Sequence, residues 1–167
     1  GRMAFELQFF GATERVTGSL YVLTAGPSKI VLECGLVQGM KDEEARNRES
    51  FPFSPDEIDA VVISHSHIDH SGRVPLLAKQ GYTGPVYTHD ASKALCDIML
   101  PDSGYLNEKE AEWENKKRRR SGKSRVLPLY TREDAEACIE QFRGLEYEAP
   151  TEIAPGLTVT LFDAGHI

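Results

Sequence analysis

His65-Ser66-His67-Ile68-Asp69-His70 places three imidazoles and a carboxylate within six residues, and a further histidine, His166, is the penultimate residue of the chain. Together they are four of the chain's five histidines. Clustered imidazoles repel one another when protonated and need donors or a cation when neutral. A divalent cation resolves that conflict: zinc takes neutral imidazole nitrogen and carboxylate oxygen at about 2.0 to 2.2 Å. The spacing therefore reads as a metal-binding turn. The fifth histidine, His89, stands alone and reads as an ordinary structural residue without a catalytic role.

A turn of this kind needs a rigid element behind it. Ala60-Val61-Val62-Ile63 is a continuous apolar run, as expected for a strand covered on both faces, and the histidines follow it directly. The turn thus occupies the carboxyl end of a buried strand, where functional groups collect in layered α/β folds. Upstream, residues 5–10 and 19–24 read as strands, and a hairpin through Ala25-Gly26-Pro27-Ser28 returns as residues 29–33. Residues 41–49 are a charged helical or loop segment, and Ser54-Pro55-Asp56-Glu57 predicts a short helical turn. Downstream, a helix over 72–80 is broken by Gly81 and followed by a strand at 84–88, which makes a crossover unit. A helix over 91–100 should stop at Pro101, and a second, very polar one over 107–118 carries the only tryptophan, Trp113. Thr131 caps a third running to about Phe142, and residues 156–163 alternate as a strand that delivers Gly165-His166 at its end.

With 167 residues and 40% apolar content the chain can bury one good core, or be a piece of a larger domain. Its apolar stretches fall far short of the roughly 18 residues of a membrane span, so no membrane partner is expected. The start, Met3-Ala4-Phe5-Glu6-Leu7-Gln8, lacks a signal-peptide pattern, and Gly1 and Arg2 ahead of it read as a cloning remnant, leaving 3–167 as the domain. Three widely spaced cysteines, Cys34, Cys96 and Cys138, fit free thiols in a reducing cytoplasm. The formal charge of −7 opposes general nucleic-acid affinity, but it is unevenly spread. Lys116, Lys117, Arg118, Arg119, Arg120, Lys123 and Arg125 form a stretch without a single acid. A charge run is ordinarily a solvated face. In so acidic a chain it is also where a polyanion such as RNA could land.

With these residues in place the chain resembles the metallo-β-lactamase superfamily and, within it, the β-CASP branch of RNA- and DNA-processing nucleases. Phe10-Gly11-Ala12 with Val16-Thr17-Gly18-Ser19 is similar to the branch's opening segment, Glu33-Cys34-Gly35-Leu36-Val37-Gln38-Gly39 to its first acidic motif, and His65 to His70 to its second. Asp69-His70-Ser71-Gly72 is the form the branch favours, Pro101-Asp102-Ser103 with the polar helix after it also matches, and Ala164-Gly165-His166 resembles the third motif. The likeness runs over nearly the whole chain.

The resemblance implies an α/β fold, half of an αββα sandwich with a mixed sheet and flanking helices, truncated before the rest of that domain and the inserted β-CASP domain. It makes His65, His67 and His166 ligands of one zinc and turns Asp69 and His70 toward a second, with Asp69 also orienting the attacking water. Glu33, where the family has aspartate, would support the metal loop from outside the ligand set. The implied reaction is zinc-dependent hydrolysis of RNA phosphodiesters by the full-length parent, with two zincs in the complete site and one or none in this fragment, which should be inactive alone. An uncovered sheet face should make the fragment self-associate. The competing readings are a small-molecule thioester or lactam hydrolase of the same fold, a di-iron oxidoreductase, and a non-catalytic RNA-processing relative.

Overall fold

The computed structural model describes residues 5–10, 18–39 and 41–163, with the backbone alone at 5–10 and 41. Two sheets pack face to face. The larger has five strands in the order β2-β3-β4-β5-β6, namely Leu20–Ala25, Ser28–Cys34, Ala60–Val62, Val86–His89 and Phe142–Leu145. β2 and β3 form an antiparallel hairpin, while β3 through β6 run parallel. The smaller sheet has the order β1-β8-β7, with β1 at Phe5–Phe10, β8 at Leu157–Phe162 and β7 at Thr151–Ala154.

Strand alternation sends successive side chains into two separate cores. Val31, Val61 and Ile63 join one cluster with Val74 and Leu77 of α3 (Val74–Lys79), Cys96 and Leu100 of α4 (Asp90–Arg120), and Ala135 and Cys138 of α5 (Arg132–Ile139). Ile30, Ala60 and Val62 point the other way and meet Ile153, Leu157, Val159 and Leu161 of the smaller sheet. Among the described residues, no helix residue enters that second cluster. The expected α/β layering is therefore present, with helices against one side of the pair of sheets. Two further short helices, α1 (Lys41–Glu44) and α2 (Ile68–Ser71), flank the carboxyl ends of the central strands.

Three sequence expectations need correction. The helices expected on either side of Pro101 are one 31-residue helix, α4, which runs through the proline. Proline in a helix interior costs about 3 kcal/mol because it lacks an N–H and crowds the carbonyl one turn back. Here the segment is clamped by tertiary contacts: Pro101, Leu100 and Gly104 are buried, Ser103 and Tyr130 share a 2.8 Å hydrogen bond, and a Cβ on Gly104 would come within 2.4 Å of the Thr131 carbonyl oxygen. Secondly, the helix expected over 72–80 is α3, which begins only at Val74, and a separate short helix, α2, precedes it at Ile68–Ser71. Lastly, the helix capped by Thr131 ends at Ile139 because Phe142 is taken into β6 beside Val86. β6 and β7 are strands that periodicity did not reveal; each is four residues long and too short to show a pattern.

Candidate metal centre

β4 ends at Val62, and the chain turns through Ser64, His65, Ser66 and His67 into α2, whose first turn carries Asp69 and His70. Beside it, next to last in β3, stands Glu33, a non-glycine residue at φ 64°. That left-handed backbone breaks the strand's alternation, so Cys34 joins the helix-side core and the Glu33 carboxylate reaches the histidine turn. Gly35 then approaches so closely that a Cβ there would lie 1.6 Å from the Asp69 carbonyl oxygen. Backbone bonds fix the crossing: Ser19 N–H donates to Asp69 O at 3.2 Å, Leu36 N–H to Ile68 O at 2.9 Å, and Arg73 N–H to Cys34 O at 2.9 Å.

The Glu33 carboxylate is 4% exposed as a residue and fully engaged. Oε1 accepts from the Ser64 N–H at 2.5 Å and Oε2 from the Ser64 hydroxyl at 2.8 Å, while His70 Nδ1 bonds to the same Oε2. With the Ser64 hydroxyl proton committed to Glu33, the 2.9 Å contact between Ser64 Oγ and His65 Nδ1 makes the ring nitrogen the donor. His65 and His70 therefore both spend Nδ1–H on the protein and keep the Nε2 lone pair for a cation. This is the outer-shell arrangement that orients metal-binding imidazoles.

The rings stand together. The His65 centroid lies 4.1 Å from that of His70 and 4.5 Å from that of His67. Ligand atoms of Glu33, His65 and His70 all lie within 4.8 Å of one another, and Asp69 Oδ2 is 3.4 Å from His70 Nε2. Burial, with the neighbouring charges of His70 and His67, pushes His65 below the ordinary imidazole value and favours its neutral form. For His70 burial acts the same way but is outweighed by the hydrogen bond and charge of Glu33 and the charge of Asp69, so its value rises. The nitrogen and carboxylate donor set, with two rings oriented through Nδ1 and the Asp69 carboxylate beside them, fits zinc.

Of the residues singled out in the sequence, Glu33, His65, His67, Asp69 and His70 are brought together; His67 is exposed and Asp69 half-buried. His166 and the rest of the third motif, 164–167, lie outside the described residues, as do Gly1, Arg2 and most of the opening motif. His89 caps α4 by accepting from the Ala91 N–H at 3.1 Å and stacks on Tyr147 at 3.8 Å. The basic run closes α4 and continues beyond it from Ser121 to Arg125.

Two supporting residues escaped sequence reading. Ser64, the residue just before the hexapeptide, links Glu33 to His65. Arg73 is 8% exposed, donates through Nε to the Gly35 carbonyl and through its terminal nitrogen to Gly18 O at 3.4 Å, and sits over the Phe51 ring at 5.5 Å. An arginine at the second position of the helix expected over 72–80 gives no local sign that it is buried. The three cysteines are free and buried, and burial pushes the Cys34 thiol up to about 12, against the pull of Arg73.

The family model for the metallo-beta-lactamase superfamily matches residues 14–152. Ribonuclease TTHA0252 of Thermus thermophilus is 37% identical over 158 residues, which are 95% of this chain and 32% of that protein. Transcription termination factor FttA of Methanococcus maripaludis is 34% identical over 160 residues, 95% of this chain and 23% of its own. An Integrator complex subunit 11 homolog of Dictyostelium discoideum is 27% identical over 173 aligned positions, 99% of this chain and 21% of its own. The chain spans about a third or less of the length of these relatives.

Proposed function

Because this chain belongs to the metallo-beta-lactamase superfamily, we propose that it is part of a zinc-dependent ribonuclease of the β-CASP branch, with the 65–70 turn holding the metals. The observation that carries this reading is the pair of imidazoles, His65 and His70, whose Nδ1 atoms are engaged by Ser64 and Glu33, leaving Nε2 as the ring atom for a cation, with Asp69 Oδ2 3.4 Å from that of His70. In the roles we assign, His65, His67 and His166 hold one zinc, and Asp69 and His70 hold the second. Zinc, when bound, supplies Lewis-acid charge and a nucleophile at neutral pH. Asp69 orients the attacking water, and its position beside His70 Nε2 suits that task. Glu33 and Ser64 set the tautomers and angles of the rings. Relatives named as a ribonuclease, a transcription termination factor and an Integrator subunit homolog support RNA as the substrate.

The activity is proposed for the protein of which these residues form a part, and the 167 residues alone are expected to cut RNA slowly or not at all. We also place the protein in the cytoplasm, consistent with three free buried thiols; no described helix is long and apolar enough to cross a membrane. With helices on one side only among the described residues, the smaller sheet is the face through which the chain should self-associate.

Incubating the full-length protein with labelled RNA and with a thioester tests the substrate class: cleavage of RNA is expected, and hydrolysis of the thioester alone would overturn the reading. Metal analysis of the purified protein should return zinc, and stoichiometric iron would favour the oxidoreductase alternative. The non-catalytic reading rests on Glu33 in place of aspartate, yet that longer carboxylate makes its bonds to Ser64 and His70.

A further inference from the structure

α4 presents aromatic and cationic side chains in alternation along one face. Tyr105, Lys109, Trp113 and Lys117 follow one another at four-residue spacing, so they stand one above the next on the helix surface. Lys109 Nζ lies 5.4 Å from the Tyr105 ring centroid and Lys117 Nζ lies 4.3 Å from that of Trp113. Both rings are in solvent: Trp113 is 67% exposed and Tyr105 42%. Lys116 and Arg120 continue the stripe toward the helix end at spacings of three and seven from Trp113. Among the described residues, Lys116, Lys117, Arg119, Arg120, Lys123 and Arg125 form no ion pair, whereas Arg118 pairs with Glu114 at 3.9 Å and Lys109 with Glu112 at 3.5 Å.

Core packing does not account for a tryptophan two-thirds exposed. A ring with a lysine over one face and open solvent around the rest, at the head of a row of unpaired cations, has the parts of a single-strand binding surface. Aromatic faces take bases by stacking without reading sequence, and Lys and Arg take the phosphates. The two rings are eight residues apart on the helix, about 12 Å along its axis, so they offer two separate platforms to one extended strand.

We propose that this face of α4 binds single-stranded RNA, with Trp113 and Tyr105 stacking on bases and Lys116, Lys117 and Arg120 holding the backbone. It rests on the reading of the protein as a ribonuclease, adding a contact surface separate from the metal turn. Because Trp113 is the only tryptophan, its emission reports on the site directly.

The test is titration of the metal-free chain with a short single-stranded oligouridine, following Trp113 fluorescence and the anisotropy of a labelled oligonucleotide together. Quenching that tracks binding, weakens with salt and is lost in a Lys116→Glu, Lys117→Glu, Arg120→Glu variant is the expected result. Trp113→Leu should weaken binding roughly 5- to 150-fold, the range that aromatic truncation gives at stacking sites, with unchanged circular dichroism. Binding with no change in Trp113 emission, equal quenching by inorganic polyphosphate, or no binding at low salt would each overturn the proposal. So would a concentration-dependent emission shift that the oligonucleotide cannot reverse, which would give the stripe to a second copy of the chain. The readout needs no metal and no turnover, so its failure is distinguishable from failure of the ribonuclease reading.

Discussion

Glu33 combines a left-handed backbone, a buried carboxylate and bonds to both Ser64 and His70. A non-glycine residue held there stores strain of order 1 to 3 kcal/mol, which persists only where the surroundings over-determine it. Its bond to His70 Nδ1 fixes the ring through which a cation would be held, so Glu33→Gln should lower zinc affinity about 10- to 100-fold. Competition with a chromophoric chelator measures this, and an unchanged affinity would remove Glu33 from that role. Gly35 is constrained by contact, not by backbone angle. Gly35→Ala drives a methyl into the Asp69 carbonyl and should destabilise the chain by about 1 to 3 kcal/mol in urea unfolding, as overpacking does. The candidate ligands at 65–70 were legible because they are contiguous; Ser64 and Arg73 were not, because their contacts are with residues remote in the chain.

At the level of elements, α4 and α5 show local preference overruled and local preference obeyed. Pro101 lies within α4, so Pro101→Ala restores a backbone donor and should raise stability by about 1 kcal/mol, the ~3 kcal/mol helix penalty being offset in part by lost ring contacts. An unchanged or lower unfolding midpoint would mean that the proline's packing outweighs its backbone cost. α5 begins with a capping box in which the Asp134 N–H donates to Thr131 Oγ1 at 3.1 Å and the Thr131 N–H donates to the Asp134 carboxylate at 2.9 Å. Thr131→Ala should therefore cost about 1 kcal/mol, and Thr131→Ser much less. Burial tends to raise the Asp134 carboxyl, but the bonds from Thr131 and the charge of Lys79 outweigh it and hold it below its ordinary range. A carboxyl depressed in the folded state contributes stability that is complete above about pH 4, its unfolded value, and is lost as pH falls through the folded value. Acid titration of Asp134→Asn should accordingly show a shallower loss of stability over that window than the parent chain.

For the molecule as a whole, both faces of the five-stranded sheet are covered, one by helices and the other by the smaller sheet. Among the described residues helices contribute to one cluster only, and sedimentation of the 167-residue chain should accordingly reveal concentration-dependent dimers or larger species; a monomer at every concentration would count against association through the smaller sheet. The buried strand β4, the hairpin and the turn that follows β4 could be read from the sequence, as could the grouping of the candidate ligands in that turn. Each depends on residues adjacent in the chain, where apolar runs, turn formers and ligand spacing act directly. The meeting of Glu33 with Ser64, 31 residues later, and with His70, 37 residues later, was decided only by the fold. So was the continuity of α4 through Pro101. Both depend on energies of burial and close packing between segments that are far apart in sequence, and no local pattern encodes which partner a strand end or a helix face will meet.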